Sequence, residues 1–171
     1  MAGQGFLARV NGLTKILFGQ QTSSGAADAN KLVALGPDGK LDTTLLPAGV
    51  GANTTVAPAT ENLVGGNFVN LWDNGGVLSV RLADNSNARP AHGYVKAAVA
   101  IAADATVYRL NTVNANLSGL TAGGDYWLGT VGGVINAPLD PAASAGKVCQ
   151  YLGKADSATE LVTVEYEPVY L

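Results

Sequence analysis

The second half of the chain alternates short apolar runs with turn-forming residues. The runs are rich in β-branched and aromatic side chains, and they recur at residues 93–99, 105–110, 126–128, 147–153 and 160–166. Gly, Asn, Asp or Pro separates each run from the next. Short runs of this composition are typical of strands joined by tight turns. The pattern therefore predicts an all-β fold, with a compact β-sandwich or barrel-like domain.

Two further stretches are predicted to form strands, one upstream of these runs and one between the first two of them. Residues 67–72 and 77–83 are apolar runs on either side of Asn74-Gly75-Gly76, which predicts a hairpin. Residues 97–105 are rich in Ala, and their propensity alone suits a helix. The stretch is short, and β-rich residues precede and follow it, so we predict a strand there.

The first residues carry another hairpin signal. Residues 6–10 and 13–18 are apolar runs separated by Asn11-Gly12, and an Asn-Gly pair between apolar runs is typical of a hairpin. The second run is short enough to form a turn of helix instead, and periodicity does not decide between the two. Residues 20–29 are small and polar, which predicts a flexible or extended connector.

A sharper turn signal follows in residues 30–47. Pro37-Asp38-Gly39 combines a residue that presets φ, one that hydrogen-bonds back to the backbone and one that accepts a positive φ. The leucines on either side predict the edges of a short strand pair. Asp42 is placed to cap a single helical turn through Leu45, which Pro47 ends. This segment buries little by itself, so we expect it to dock on the β domain or on another chain.

Composition divides the chain into two parts. Residues 48–66 are rich in Gly, Ala, Thr, Asn and Pro, which predicts a linker with the domain boundary near Glu61. We therefore predict an extended N-terminal docking arm with its linker over residues 1–60 and a β-rich domain over residues 61–171. The candidate partner-binding residues are the large apolar side chains of the arm: Phe6, Leu7, Ile16, Leu17, Phe18, Leu32, Leu35, Leu41, Leu45 and Leu46.

The charge content narrows the classes of function. Only 13% of the residues are charged, 47% are hydrophobic, and the net charge is −3. A low charge content suits a protein that hides surface in an assembly, although a small β domain rich in Ala gives the same composition. No basic patch is present to neutralise phosphates, so nucleic acid is not an expected partner. No apolar run is long enough to span a bilayer, and the first residues lack the pattern of a signal peptide.

Candidate catalytic and metal-binding residues are few. His92 is the only histidine, and its neighbours Ala91 and Gly93 supply no group to orient a base, which favours a hydrogen-bonded structural role. Cys149 is the only cysteine, which excludes an intrachain disulfide and indicates a core or interface thiol. Residues 84–87 hold oxygen ligands but lack the central Gly and terminal Glu of a calcium loop, so a solvated turn is favoured.

Acidic and aromatic residues near the end of the chain offer weaker candidates. Glu165 and Glu167 fall on one face of the last predicted strand, where alternating carboxylates are normally solvated. Tyr126 and Trp127 point to opposite faces of a strand, so one is expected in the core and the other exposed to a sugar or a protein. We predict no catalytic, cofactor-binding or metal-ligating residue.

Two regions carry motifs that resemble a known family. The first comprises residues 92–95, 105–108, 119–129, 146–155 and 157–162. It resembles a β domain of the virion structural proteins of tailed bacteriophages, which include capsid decoration (cement) proteins, head fibres and some tail or baseplate fibres. The second comprises residues 31–47, with Gly39-Lys40-Leu41-Asp42 and Leu45-Leu46-Pro47, and resembles an N-proximal segment common in such proteins.

The resemblance implies a non-enzymatic protein without cofactors that acts as a homotrimer in the virion. A decoration or cement protein would bind the outer surface of the major capsid protein shell and stabilise it. It would be made in the host cytoplasm and end on the capsid surface. The alternative is a tail-fibre or baseplate component involved in host attachment. An enzyme such as a glycan hydrolase, with Glu165 or Glu167 as the acid, is the least favoured hypothesis because no partner constellation is visible.

Overall fold

The computed structural model of this chain describes residues 5–46 and 53–171, apart from the side chain of Thr43. It divides into an N-terminal unit within residues 1–52 and a C-terminal unit over residues 53–171. Both units are built from antiparallel strands, which confirms the predicted all-β class. Helical structure in the described ranges is limited to single 3-10 turns at Ala26–Asp28, Thr43–Leu45, Asn85–Asn87 and Pro141–Ala143. No helix there is long and apolar enough to cross a membrane.

A two-stranded hairpin opens the N-terminal unit. Strand β1 (Gly5–Val10) pairs antiparallel with β2 (Leu13–Phe18), and Val10 lies opposite Leu13. Asn11 and Gly12 have φ values of 53° and 79°, which is the geometry of a type I′ turn. The predicted hairpin is confirmed, and the helical alternative for residues 13–18 is excluded.

The remainder of the N-terminal unit forms turns rather than the predicted strand pair. Gln20 makes a single parallel bridge with Val33, and the turn at Pro37-Asp38-Gly39 is closed by a hydrogen bond from the Gly36 N–H to the Lys40 carbonyl at 2.8 Å. A second bond, from the Gly39 N–H to the Gly36 carbonyl at 3.0 Å, lies within the turn, and no strand flanks it among the described residues. The predicted cap is confirmed, since the Asp42 Oδ1 accepts the Thr44 N–H at 2.9 Å. Pro47, predicted to end this helical turn, lies outside the described residues.

The first sheet of the C-terminal unit curls upon itself. Its strands are β3 (Thr54–Pro58), β4 (Phe68–Asp73), β5 (Leu78–Leu82), β6 (Gly93–Val95) and β7 (Asp104–Arg109), in the order β3-β7-β6-β4-β5. A parallel bridge between Ala59 and Val80 brings the two ends of that order together. The hairpin predicted for residues 67–83 is formed by β4 and β5.

The division between the units lies earlier than the sequence predicts. Residues 54–58 fall in the predicted linker, yet they form β3 and pair along their whole length with β7. Their β-branched Thr54, Thr55 and Val56 suit a strand, and Ala57 enters the core of the sheet. The boundary is therefore between residues 52 and 53, not near Glu61.

A second sheet and a short strand pair complete the C-terminal unit. The sheet contains β8 (Val113–Asn114), β9 (Asp125–Leu128), β10 (Val134–Ile135), β12 (Tyr151–Ala155) and β13 (Leu161–Thr163), in the order β10-β9-β12-β13-β8. Strand β11 (Val148–Cys149) pairs with β14 (Val169–Tyr170).

The core consists of two hydrophobic clusters that share the first sheet. Phe68 and Tyr94 join the larger cluster, which also contains buried side chains of the second sheet. Their neighbours Val69 and Val95 point the other way, into the smaller cluster inside the curled first sheet. Because side chains alternate along a strand, β6 and the first half of β4 are buried on both faces. The result is a sandwich with one barrel-like layer.

The strand predicted for the Ala-rich residues 97–105 is wrong for most of that stretch. Only its end, from Asp104, is in β7. Val99 makes an isolated bridge with Leu63, and Ala102 adopts a positive φ of 68° within a turn. The backbone of this segment bonds instead to the loop after β3, with the Ala102 N–H donating to the Ala59 carbonyl at 2.8 Å.

Candidate functional site

The predicted partner-binding side chains are mostly exposed. Eight of the ten are exposed by 37% (Leu17) to 73% (Leu7) of their surface, namely Phe6, Leu7, Ile16, Leu17, Phe18, Leu32, Leu35 and Leu41. Leu45 and Leu46 are half-buried. Large apolar side chains are usually buried, and contiguous exposed groups of them mark interaction surfaces.

The hairpin presents apolar side chains on both of its faces. Opposed residues of an antiparallel pair share a face, so the register places Leu7, Ile16 and Phe18 together on what we call the first face. Phe6, Leu13 and Leu17 lie on the second face. Sequence reasoning omitted Leu13, which is 64% exposed, although its position in the run matches that of the others.

The N-terminal unit has no core of its own among the residues described. None of residues 5–46 with a described side chain is buried. A lone two-stranded hairpin is at best marginally stable in water, and a hydrophobic face gains stability only when something covers it. The hairpin is therefore a structure whose apolar surface lacks cover within its own unit.

Two clefts bring some of the predicted residues together. A cleft of about 580 Å³ is lined by Phe6, Leu32 and Leu35 with the backbone around Gly19. Leu41 lines a second cleft, of about 420 Å³, with the turn at Pro37. Leu7, Ile16 and Phe18 of the first face line neither of these two clefts.

Two carboxylates of this unit, those of Asp28 and Asp42, are held in local hydrogen bonds. The Lys31 ammonium lies 2.6 Å from the Asp28 carboxylate, and this bond together with those from Ser24 lowers the pKa of Asp28. Hydrogen bonds from Thr44 likewise lower the pKa of Asp42. These carboxylates are engaged with their own neighbours, so the exposed leucines and phenylalanines dominate the accessible chemistry.

His92 has a structural hydrogen bond, as the sequence favoured. Its Nδ1 accepts the Leu71 N–H at 3.0 Å, which fixes the ring against β4. Burial, and then the nearby positive charge of Arg109, lower the pKa of His92. The side chain is therefore a neutral imidazole whose Nδ1 lone pair is already used.

The candidate calcium loop is a capped turn. The Asp84 Oδ1 accepts the Ser86 N–H at 2.8 Å, and Oδ2 accepts the Val131 N–H at 3.0 Å. Burial works against ionisation, but the bonds from Ser86 and Val131 prevail and lower the pKa of Asp84. Within residues 5–46 and 53–171 no group of three or more His, Cys, Asp or Glu is arranged to hold a metal ion.

Tyr126 and Trp127 divide between the core and the surface as the alternation predicts. Tyr126 is buried, and its hydroxyl accepts the Thr121 N–H at 2.7 Å. Trp127 lies on the outer face beside Tyr151.

Glu165 and Glu167 are both exposed and line a cleft of about 570 Å³. Cys149 is half-buried in β11.

Comparison with known proteins finds a distant structural similarity. No protein-family model and no curated protein matches the chain. Among solved structures, the chain is similar to the N base of the head fiber gp8.5 in bacteriophage phi29. The identity is 14%, the match covers 68% of this chain and 100% of that one, and the TM-score is 0.44. A head fibre falls within the class that the sequence resembles, but a likeness this distant assigns no function.

Proposed function

We propose that this protein is a non-enzymatic structural component of a bacteriophage virion. In this proposal it binds the outer surface of the major capsid protein shell as a homotrimer and stabilises that shell. The N-terminal unit makes the contact, and the C-terminal unit is a folded module without chemistry of its own. The observation that carries the proposal is the hairpin with two exposed apolar faces in a unit without a described buried side chain.

The size of the uncovered apolar surface supports a docking role for the hairpin. Fully burying a Leu, Ile or Phe side chain contributes about 1.5–3 kcal/mol, and each hairpin face carries three such residues. Ordering the backbone costs about 1–2 kcal/mol per residue, so an uncovered hairpin has little to offset that cost. A shell that covers the hairpin supplies the missing stabilisation.

The polar side chains of the C-terminal unit support a structural role. His92 and Asp84 are the residues with the most enzyme-like chemistry, and both are occupied by backbone N–H groups. A general base needs a free lone pair within reach of a substrate proton. These two side chains hold strands and turns in place instead.

A trimer would multiply weak contacts. Three linked hairpins that reach one shell convert the second and third contacts into intramolecular events, which raises the overall affinity without new interactions. The sequence resemblance to decoration proteins supports this stoichiometry.

The alternative is a tail-fibre or baseplate component involved in host attachment. The partly exposed Trp127 on the outer face of the second sheet favours it, because an exposed indole is common at recognition surfaces. Gold-labelled antibody on intact virions separates the two, since label on the head supports decoration and label on the tail supports attachment.

The proposal is tested by mass and by binding to emptied shells. Sedimentation equilibrium should give the mass of three chains, and the protein should co-sediment with emptied capsids. Ile16→Ser should weaken the co-sedimentation, whereas Val162→Ser, which alters an exposed apolar side chain of the second sheet, should not. A monomer without affinity for the shell would rule the proposal out.

A further inference from the structure

Three aromatic rings form a row on the outward face of the second sheet. The ring centroids of Trp127 and Tyr151 are 5.3 Å apart, and those of Tyr151 and Tyr166 are 5.8 Å apart. The three residues come from β9, from β12 and from the segment that follows β13. We call these residues the aromatic row.

Strand alternation places the row on the surface. Tyr126 and Leu128 point into the core, so Trp127 between them points outward. Leu152 is fully buried, so Tyr151 before it points outward and lies opposite Trp127 in the sheet. Tyr166 is 60% exposed. None of the three rings belongs to either hydrophobic cluster.

The ring of Tyr151, in the middle of the row, is held by a hydrogen bond to Asp125, which also forms an ion pair with Lys154. The Tyr151 hydroxyl donates to the Asp125 Oδ1 at 2.7 Å, and the Lys154 ammonium lies 3.0 Å from the same oxygen. Burial and the Asp125 carboxylate raise the pKa of Tyr151 to about 12, so the hydroxyl stays protonated and keeps this bond. Because Asp125 and Lys154 neutralise each other, the surroundings of Trp127 and Tyr151 carry no net charge from this pair.

The row continues into a cleft with hydrogen-bond acceptors. Tyr166 also lines the cleft of about 570 Å³, which contains Glu165, Glu167 and Tyr170. Both glutamates are exposed, and neither forms a salt bridge with a residue that the structure describes. Tyr170, 61% exposed, offers a further ring and hydroxyl.

We propose that the aromatic row and its cleft bind an uncharged oligosaccharide chain. A sugar ring has an apolar C–H face and a rim of hydroxyl donors. The ring faces of the row match the first, and the carboxylates of the cleft, which only accept hydrogen bonds when ionised, match the second. The three rings come in succession from β9, from β12 and from the segment after β13, which are neighbours in the sheet, and such a succession suits a ligand that repeats along its length.

The succession of rings across the sheet favours a glycan over a basic peptide. A lysine or arginine head group is recognised by rings that surround one point. Here adjacent rings are inclined at 63° and 45° and are spaced along the sheet. The charges of Asp125 and Lys154 beside Tyr151 cancel, and the carboxylates of Glu165 and Glu167 lie only at the Tyr166 end of the row.

Titration of the full chain with defined probes tests this site. The probes are hexasaccharides of β-1,4-linked glucose, β-1,4-linked N-acetylglucosamine and α-1,4-linked glucose, together with a hexalysine peptide. Calorimetry should show millimolar or tighter binding of at least one hexasaccharide. Trp127→Ala and Tyr166→Ala should each weaken it by about tenfold, whereas Tyr166→Phe, which keeps the ring, should retain it.

The controls separate this site from the docking hairpin. Phe18→Ala lies in the N-terminal unit and should leave sugar binding unchanged, while Tyr166→Ala should leave co-sedimentation with emptied capsids unchanged. Tyr166 lies outside the paired strands, so its variants should keep the melting temperature of the parent protein. The site is overturned if no hexasaccharide binds, if hexalysine alone binds, or if binding survives Trp127→Ala and Tyr166→Ala.

Discussion

Buried polar side chains hold the loops of the C-terminal unit to its sheets. Asn114 is fully buried, and its Nδ2 donates to the Gly66 carbonyl at 3.0 Å. The Gln150 amide bonds both backbone groups of Ala91, at 2.7 and 2.9 Å. Buried polar groups are costly unless paired, so these bonds specify which loop meets which strand.

His92 should make the stability of the C-terminal unit depend on pH. Its pKa is lowered from the ordinary value of 6.5 by burial and then by Arg109. The unfolded chain therefore binds the proton more readily, so the contribution is complete above pH 6.5 and is lost as the pH falls through the folded pKa. Protonation also removes the Nδ1 acceptor that the Leu71 N–H uses.

The variant His92→Asn isolates this effect. The Asn side chain keeps an acceptor but does not titrate, so we expect a cost within about 1 kcal/mol at neutral pH and a smaller loss of stability on acidification. Denaturant unfolding of both proteins from about pH 7 to about pH 5 measures the difference. An identical pH dependence in the two proteins would contradict this assignment.

Single residues show what the sequence reveals of local geometry. Asn11-Gly12 predicted a hairpin because both residues tolerate positive φ, and the structure has that turn. Ala102 also adopts a positive φ, but Ala carries no signal for that geometry, so the turn before β7 was missed. Its conformation is set by backbone bonds to the distant Ala59.

At the scale of elements, the β1–β2 hairpin is the distinctive feature. Strand β6 and the first half of β4 are buried on both faces, whereas both faces of the hairpin carry large apolar side chains that are exposed. A flat partner would cover only one face. A hairpin with two apolar faces suits insertion into a cleft of the shell or between neighbouring shell subunits.

Separate variants of the two faces test insertion. The first-face pair is Leu7→Ser with Ile16→Ser, and the second-face pair is Phe6→Ser with Leu17→Ser. Each pair removes two large apolar contacts, so each should lower shell affinity by at least about tenfold in co-sedimentation titrations. The melting temperature of the C-terminal unit should not change. If either pair binds as tightly as the parent protein, only one face is covered and insertion is wrong.

Elements with strong local signals were predictable, and those set by distant partners were not. Residues 67–83 formed the predicted β4–β5 hairpin around the Gly pair. Strand β3 was assigned to a linker because its neighbours are rich in Gly, Ala and Asn, and its three β-branched residues are too short a signal without the distant pairing with β7. The aromatic row is likewise assembled from separate elements, so no local pattern announces it.

At the scale of the whole molecule, a low content of charged residues accompanies the exposed apolar side chains. With 13% charged residues, the chain has few of the groups that keep an isolated protein's surface hydrated. The N-terminal unit adds apolar side chains that are exposed within it, and the C-terminal unit supplies a core. In the proposed function, the first unit binds the shell and the second supplies the stable fold.

Hydrogen exchange of the free and shell-bound protein tests this division most directly. In the free protein, amides of residues 5–18 should exchange fast, because a two-stranded hairpin is only marginally stable, while those of β4 and β6 should exchange slowly. On emptied capsids, residues 5–18 should become protected and the core should stay as it was. Hairpin amides that are already protected in the free protein, or that gain no protection on the shell, would contradict the account.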